Sequence, residues 1–381
     1  MYAARRVDGR LLYVYPMWHT VSFTLIARKH VEYMRKALGL SVQELDELSF
    51  ASFVPNARYT AAVHPWIYIY HRVLSSRRGA LDENLQGRFD EYFRWWRGNF
   101  DRFVAVDVCD SDRLSNYAVE LLNQADRVIV PSSFCVNTYA SSGVKQPVIR
   151  VPHGVDPEWY VAPNAWDTSP VKSVNPVLLE LYLYKVRRGK KLLLFWLWHS
   201  SERKGWPEVR EVYGRLARER GDAAIVLKTT APYTKEFQEV MGLGAMQVYG
   251  WLSEYEKMVL YDTVDVVLNF SRGGGFELNC LEGLARGVPC MASGWGSWTD
   301  YVPEFLQVKV GRRVKVFEDN AIHTGYGYTV DVEDALNKIH AILEGYEEYK
   351  AKVLEWRRRL AEEYRWDVVA YRLAKAVGIV Y

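Results

Sequence analysis

The sequence contains little cysteine, and its cysteines are not arranged to bind a metal. Cys109, Cys135, Cys280 and Cys290 are the only four among 381 residues, and no two form a CxxC pair. Zinc sites and small disulfide-stapled domains need closely spaced or numerous cysteines. Neither a zinc centre nor a disulfide framework is therefore expected.

Long hydrophobic runs and a strong excess of one charge are also missing. No stretch approaches the roughly 18 apolar residues of a membrane-spanning helix, and the first residues have no signal-peptide pattern. Lys and Arg number 49 against 46 Asp and Glu, a net charge of +3. A wide nucleic-acid surface carries more basic charge, so we expect no nucleic-acid partner. We expect a soluble, cytoplasmic protein, with peripheral membrane contact left open.

Aromatic residues, in contrast, are abundant. The chain has 14 Trp, 26 Tyr and 14 Phe, together 14% of its residues. Core packing explains most of them, but aromatic rings also form flat platforms for sugars and bases. Four tryptophans fall on loops where a sugar would bind if the fold predicted below is correct: Trp18, Trp251, Trp295 and Trp298.

Short apolar runs alternate with helical patterns along the whole chain. Runs typical of buried strands lie at residues 11–15, 103–108, 128–131, 148–151, 192–198, 223–228 and 264–270. Segments with a 3.6-residue period lie at 28–38, 116–125, 206–218 and 278–286. This alternation predicts an α/β fold with doubly wound parallel sheets.

A polar, proline-containing stretch at residues 162–185 divides the chain. It predicts one Rossmann-like domain over residues 1–170 and a second over 171–362. From residue 332 the sequence indicates nearly continuous helix with a break at 364–367, so residues 363–381 are predicted to form a separate final helix.

Residues 269–302 carry the clearest sign of a binding site. An apolar strand leads into three glycines at 273–275, and a helix over about 277–286 follows, closed by Gly287. A glycine-rich turn before a helix exposes backbone N–H groups at the positive end of the helix dipole, which favours phosphate. The segment matches neither a Walker A loop nor a GxGxxG fingerprint, and a tight turn without a ligand is the alternative.

Glu282 lies one and a half turns into that helix, between Leu281 and Leu284. A carboxylate among apolar neighbours needs hydrogen-bond donors. Two partners are consistent with the pattern: a nearby cation, or the paired hydroxyls of a ribose.

This segment resembles the retaining GT-B glycosyltransferases that include glycogen synthases and bacterial mannosyltransferases (glycosyltransferase group 1, family 4 type). The family string EGFGLxxLEAMACGxPVVAS aligns with GGFELNCLEGLARGVPCMAS here. Glu282 falls on the second glutamate, which implies a ribose contact. Gly274 replaces the first glutamate, and we expect Glu277, three residues later at a family glycine, to supply the missing carboxylate.

Four further segments support the resemblance in the family's order. They are ADRVIVPSSFCVNTYASSGV at 125–144, VIRVPHGVDPEWY at 148–160, LFWLWHSSERKGWPEV at 194–209 and VYGWLSEYEKMVLYDTVDVVLNFS at 248–271. With the glycine-rich segment they place the resemblance over about residues 103–302, half of the chain. The resemblance implies two Rossmann-like domains facing a central cleft, with the C-terminal helix crossing back to the first domain.

The resemblance also implies a nucleotide-sugar donor, such as a UDP- or GDP-sugar, bound without a metal or other cofactor. Lys204 stands at the lysine that clamps the donor diphosphate in the family, and His199 stands at the position of its partner arginine. The implied donor-binding residues are His199, Arg203, Lys204, Gly250, Trp251, Leu252, Gly274, Gly275, Phe276, Glu277, Leu278 and Glu282.

Asp110 aligns with a sugar-facing position at the tip of a first-domain strand in the family. It is expected to bind a sugar hydroxyl or to accept the acceptor's proton. Its structural alternative is an N-cap, a role that Ser111 or Asp112 would fill equally well. Trp18 and His19, in the first strand–helix loop, are expected to contact the acceptor.

Residues 61–78 are apolar and aromatic and end in basic residues. They fit either a buried strand or contact with a lipid-linked acceptor at a membrane surface, and we favour the buried strand.

The predicted activity is that of a metal-independent, retaining hexosyltransferase acting on a glycan, lipid-linked or protein-linked acceptor. Asp110, Glu277 and Lys204 are its predicted catalytic residues. The alternative is a catalytically degenerate protein that binds a nucleotide sugar or glycan. The identities of the sugar, base and acceptor and the oligomeric state do not follow from the sequence.

Overall fold

A computed structural model describes residues 10–78, 93–94, 96–167, 175–197, 201–229 and 235–380. The chain forms two compact units. The first contains the described residues up to His153, together with Asp319–Gly325 and the chain from Trp366. The second contains Gly154–Glu318 and Tyr326–Arg365.

The first unit is built on a six-stranded parallel sheet in the order β2-β1-β3-β4-β5-β6. Its strands are β1 (Leu11–Tyr15), β2 (Val42–Asp46), β3 (Thr60–Val63), β4 (Arg102–Val106), β5 (Arg127–Val130) and β6 (Val148–Arg150). The helices described between them are α1 (Ser22–Leu38), α2 (Glu47–Phe50), α3 (Trp66–Arg78), α4 (Asn116–Leu122) and α5 (Ser133–Ser142). The inner strands are almost wholly buried, as expected for parallel strands covered on both faces.

The second unit repeats this plan with the parallel order β12-β11-β10-β7-β8-β9, and an antiparallel ribbon, β13–β14, is added. The strands are β7 (Lys191–Leu197), β8 (Ala223–Thr229), β9 (Met246–Tyr249), β10 (Val266–Asn269), β11 (Cys290–Ser293), β12 (Gln307–Val308), β13 (Val310–Lys315) and β14 (Tyr326–Val330). The helices are α6 (Glu158–Val161), α7 (Pro176–Arg188), α8 (Trp206–Glu219), α9 (Lys235–Gly242), α10 (Glu254–Thr263), α11 (Leu278–Ala285), α12 (Val332–Glu344) and α13 (Tyr346–Glu363).

The last helix, α14 (Trp366–Val377), belongs to the first unit and packs against α1. Its buried residues recur at helical spacing, for example Val369, Leu373 and Val377, so one apolar stripe faces the unit's core. The predicted fold class, two Rossmann-like domains with a returning C-terminal helix, is confirmed. The tail is less continuous than predicted, because a break at Gly345 separates α12 from α13.

Three buried histidines lie near the start of α14, inside the first unit. The His30 ring is 6.4 Å from His64, 6.3 Å from His153 and 5.5 Å from the Trp366 ring, and His30 Nδ1 is 2.8 Å from the Tyr13 hydroxyl oxygen. Burial lowers the pKa of His64 and of His153 to about 3, and the pKa of His30 also falls well below its usual value. The folded first unit therefore holds these imidazoles neutral.

This cluster predicts that the first unit loses stability in mild acid. Between pH 6.5 and pH 3 the unfolded chain binds protons that the folded chain excludes, so stability falls as the pH falls. At pH 5 each such histidine costs about 2 kcal/mol of unfolding free energy relative to pH 7.5. Urea unfolding of wild type and His153→Gln across this range measures the effect. An unchanged pH slope in His153→Gln would contradict the conclusion that the folded protein holds His153 neutral.

The second unit contains a disulfide that the sequence analysis did not anticipate. Cys280 of α11 is bonded to Cys290 of β11, and both residues are buried. Because the chain turns back directly after α11, two cysteines ten positions apart meet inside the core. Cys109 and Cys135, which are also buried, take no part in a disulfide among the described residues.

Removing this disulfide should weaken the second unit. Closing this short loop lowers the entropy of the unfolded chain, which stabilises the folded protein by about 3 kcal/mol. The double variant Cys280→Ala/Cys290→Ala, unfolded in urea, should lose about that much stability and should not respond to reduction, whereas Cys109→Ala keeps the disulfide and should lose stability when it is reduced. Equal stability of the double variant and wild type would contradict a formed disulfide.

Candidate functional site

The glycine-rich turn lies at the carboxyl end of β10, where ligands bind in open parallel sheets. It leads into α11, and Glu277 is the residue that precedes the helix. The Glu277 backbone is fixed by Tyr301, whose hydroxyl accepts from Glu277 N at 3.1 Å and donates to Glu277 O at 2.9 Å. These two bonds hold the Glu277 backbone in place, so its side chain leaves the chain from a fixed point at the start of α11.

Lys204 and Glu277 form a close ion pair in this turn. Lys204 Nζ is 2.6 Å from both carboxylate oxygens of Glu277, and Ser271 Oγ donates to Oε1 at 3.2 Å. Gly205 positions the lysine: it has φ of +78°, and a Cβ there would lie 2.0 Å from Phe270 O. Only glycine fits that close approach, which explains the Lys-Gly pair in the sequence.

The Glu277 carboxylate lies directly against Gly274. A Cβ built on Gly274 would lie 2.6 Å from Glu277 Oε1. The carboxylate of Glu277 therefore occupies the place where a side chain at position 274 would begin. This contact supports the expectation that Glu277 stands in for the missing glutamate, which stays a prediction.

Two arginines add positive charge around the turn. Arg203 Nη1 donates to Gly273 O at 2.9 Å, and its guanidinium lies 5.7 Å from the centre of the Phe317 ring. Arg272, which the sequence analysis missed, pairs with Glu208 at 2.8 Å and Glu202 at 2.9 Å. His199 lies outside the described residues.

Glu282 is buried in α11 and has two partners. Lys257 Nζ donates to Oε1 and the Tyr261 hydroxyl to Oε2, each at 2.8 Å. Burial by itself would lower the pKa of Lys257, but the carboxylates of Glu282 and Glu254 outweigh it and raise that pKa. The cation-partner interpretation is therefore correct, and a ribose contact through the remaining lone pairs stays a prediction.

Three of the predicted donor-binding residues, Gly250, Trp251 and Leu252, directly follow β9. Trp251 is 56% exposed, and Gly250 O accepts a hydrogen bond from Lys228 Nζ. Lys228 is buried on β8, and burial lowers its pKa to about 8. Lys228 was not predicted from the sequence, although a lysine near the end of an otherwise apolar strand was the available signal.

The tryptophans of the loop after β11 differ in exposure. Trp298 is fully buried, and its Nε1 donates to Ser293 O at 2.7 Å. The expectation that Trp298 stacks on a sugar is therefore wrong, because its ring fills the core. Trp295 is half-buried and packs edge-on against Tyr328, with 5.3 Å between ring centres.

Two further predicted donor-binding residues lie at the start of α11. Phe276 stacks on Tyr301, with 4.8 Å between ring centres, and Leu278 is the first residue of α11.

In the first unit, Asp110 lies just beyond the carboxyl end of β4. Asp110 N donates to His323 Nδ1 at 3.5 Å, which places His323 beside it. The N-cap alternative is wrong, because Ser115 caps α4 and accepts from Ala118 N. Asp107, next to β4, is buried, and burial raises its pKa to about 7, although it accepts hydrogen bonds from two backbone N–H groups.

Trp18 and His19 follow β1 as predicted. Trp18 is 77% exposed and lines a cavity of about 720 Å³ with Tyr15, Arg28 and Glu44. His19 Nε2 lies 3.7 Å from Oε1 of Glu47. An acceptor role for either residue stays a prediction.

Residues 61–78 form the end of β3 and the whole of α3, so the buried strand accounts for only part of them. Trp66, Ile67, Ile69 and Tyr70 are fully buried. These four side chains offer no surface for membrane contact. Among the described residues no helix has the length and hydrophobicity to span a membrane, and no group of three potential ligands is placed to hold a metal ion.

Comparison with known proteins places these features in a family. The profile described as "Family 4 Glycosyltransferase in conflict systems" matches residues 253–373. "Uncharacterized protein 356" of Sulfolobus islandicus rod-shaped virus 1 is 30% identical over 376 residues, covering 96% of this chain and 98% of that protein.

Solved structures of low sequence identity share the fold. Sucrose-phosphate synthase from Thermosynechococcus elongatus matches with a TM-score of 0.62 at 14% identity, over 97% of this chain and 98% of that one. A glycosyltransferase from Rickettsia africae matches with a TM-score of 0.63 at 13% identity, over 97% of each chain. These matches show that the chain has the GT-B fold. With the profile over residues 253–373 and the 30% identical viral relative, the chain belongs to the family 4 glycosyltransferases.

Proposed function

We propose that this chain transfers a hexose from a nucleotide-diphosphate sugar to an acceptor hydroxyl with retention of the anomeric configuration. The donor would bind to the second unit. Its diphosphate would meet Lys204 and the first backbone N–H groups of α11, and its ribose would meet Glu282. The base would lie beside Gly250–Leu252, against the exposed Trp251 ring.

The ion pair between Lys204 and Glu277 carries this proposal. In the free protein Glu277 balances the lysine's charge, and both side chains are largely buried beside the glycine-rich turn. An incoming diphosphate offers a stronger partner for the ammonium group, and Glu277 is then available to accept hydroxyls of the donor sugar. As the bond from the anomeric carbon to the diphosphate breaks, negative charge grows on the leaving oxygen, and a fixed Lys204 stabilises it.

The acceptor side of the proposal rests on the first unit. The acceptor oxygen forms the new bond to the anomeric carbon and loses its proton, and we assign Asp110 to bind that hydroxyl or to take the proton. Trp18 and His19 would contact the rest of the acceptor. A glycan or a lipid-linked sugar provides both the hydroxyl and the ring face that these side chains suit.

A binding protein without turnover is the second candidate. Gly274 brings no carboxylate, and Glu277 is already neutralised by Lys204. If diphosphate binding does not free Glu277, the donor is held but not cleaved.

A donor panel separates the two candidates. UDP-, GDP- and ADP-sugars are incubated with the protein, and release of nucleoside diphosphate is followed with and without simple sugar acceptors. Turnover of one donor supports transfer. Nucleotide binding, seen as a rise in melting temperature, without any turnover supports the binding protein.

Substituting the donor residues should weaken nucleotide binding. Lys204→Gln and Glu282→Gln each remove a charge-assisted hydrogen bond worth about 1.5–3 kcal/mol, so the Kd for the nucleoside diphosphate should rise about 10- to 100-fold. Lys352→Gln, an exposed lysine of α13, is the matched control. Isothermal titration measures all three, and wild-type affinity in the first two variants would remove both residues from the donor site.

A further inference from the structure

The ribbon β13–β14 carries a concentration of positive charge that the net charge conceals. Lys309, Arg312, Arg313 and Lys315 fall within seven residues, and neither strand contains an acidic residue. All of β13 is exposed except the half-buried Val314. β14 is largely buried, so β13 is the outer strand of the ribbon.

One face of the ribbon sets cations on β13 against aromatic rings on β14. The strand register places Lys315 opposite Tyr326 and Arg313 opposite Tyr328, so all four side chains share a face. The Arg313 guanidinium lies 4.3 Å from the centre of the Tyr326 ring. We call these four residues, with Trp295 next to Tyr328, the aromatic–cation strip.

The strip starts beside the candidate donor site within the second unit. Tyr328 N donates to Arg272 O at 3.2 Å, and Arg272 directly precedes the glycine-rich turn. Trp295 lies in the loop after β11, next to that turn in the sheet order. From there the strip runs outward to Tyr326, which is 42% exposed.

Edge protection is the simplest explanation for the charges, since cations on an exposed edge strand prevent pairing with other strands. It does not explain why aromatic rings lie opposite the cations on the same face. The strip also lacks the carboxylate and amide side chains that usually fix sugar hydroxyls. Cations that contact a phosphate backbone, interleaved with rings on which bases stack, are typical of sites for single-stranded nucleic acid.

We propose that the aromatic–cation strip binds single-stranded nucleic acid. Arg313 and Lys315 contact phosphates, about 6.8 Å apart along the strand, and bases stack on Tyr326 and Tyr328. The expectation of no nucleic-acid partner came from total charge, which excludes a wide duplex surface but not a short strip. The proposal stands independently of the donor-site assignment, because binding is measured without turnover.

Fluorescence anisotropy with labelled 12-mers of dT and rU tests the strip on the full chain. Wild type should bind, and with two phosphate contacts the Kd should rise about sevenfold between 50 and 200 mM salt. Tyr326→Ala should weaken binding about 5- to 100-fold through lost stacking, whereas Tyr326→Phe should bind like wild type. Arg313→Ala/Lys315→Ala should abolish the salt dependence.

The matched control removes the same charge elsewhere in the second unit. Lys352→Ala/Arg359→Ala, on α13, also takes away an arginine that lies over an aromatic ring, that of Trp356. It should bind like wild type. No binding at 50 mM salt, equal losses in the control, or unchanged binding in Tyr326→Ala would overturn the proposal. Binding to phosphatidylserine vesicles without binding to either 12-mer would overturn it as well.

Discussion

Gly274→Glu alone is expected to lower kcat/KM by about 100-fold or more, and adding Glu277→Gly is expected to recover at least about tenfold of that loss. The single variant forces a Cβ to within 2.6 Å of Glu277 Oε1 and sets a second carboxylate beside the first. The two changes together leave one carboxylate, at the family's own position, as the partner of Lys204. Each variant is measured on the donor that the panel identifies.

Non-additivity is the decisive feature of this experiment. If Glu277 replaces the missing glutamate, the two substitutions compensate, and the double variant is more active than the product of the single effects. Melting temperatures of all variants check that the turn still folds. A double variant whose loss equals or exceeds the combined single losses would show that Glu277 has no such role.

Arg286→Met is expected to destabilise the second unit by about 3–5 kcal/mol. The guanidinium is buried and bonds to Asp262 through Nε at 2.9 Å and Nη2 at 2.7 Å. It also donates to the backbone oxygens of Trp159, Ala162 and Pro163 at 2.9–3.1 Å. This side chain ties the segment around α6 to α11, and its loss leaves the Asp262 carboxylate buried without its cation.

Two further variants separate the buried charge from general damage. Arg286→Met/Asp262→Leu removes both charges and should lose less stability than Arg286→Met alone. Arg215→Met breaks a largely exposed pair with Glu333 and should cost much less stability than Arg286→Met. Urea unfolding measures the stability of all three variants. If Arg286→Met loses no more stability than Arg215→Met, Arg286 does not have the stabilising role inferred for it.

The sheet plan was predictable because parallel strands buried on both faces form apolar runs that helical segments separate. β1 was predicted at its observed bounds, and β7 and β10 to within two residues. β2 and β13 were not, because their sequences VQELD and VGRRVK have no apolar run. The segment Asp319–Gly325 joins the first unit through Ile322, which packs into its core, a long-range contact that no local pattern indicates.

The residues of the candidate site could be named from the sequence, but the contacts between them could not. Alignment with the family assigned Lys204, Gly274 and Glu277 to one donor site, although Lys204 lies 70 positions before Gly274 in the sequence. That Lys204 lies against both oxygens of Glu277 follows from the course of the chain around Gly205, which only the structure provides. Trp298 was misassigned because a loop rich in glycine resembles an exposed one, although here it folds its tryptophan inward.

The stereochemistry of donor cleavage tests the central claim most directly. The nucleotide sugar that the panel identifies is incubated with the protein, and the anomeric proton of the first product is followed by NMR before it equilibrates. The account predicts release of nucleoside diphosphate and a product with the donor's anomeric configuration, both slowed at least about 100-fold in Lys204→Gln. An inverted product, or equal rates for wild type and Lys204→Gln, would contradict it.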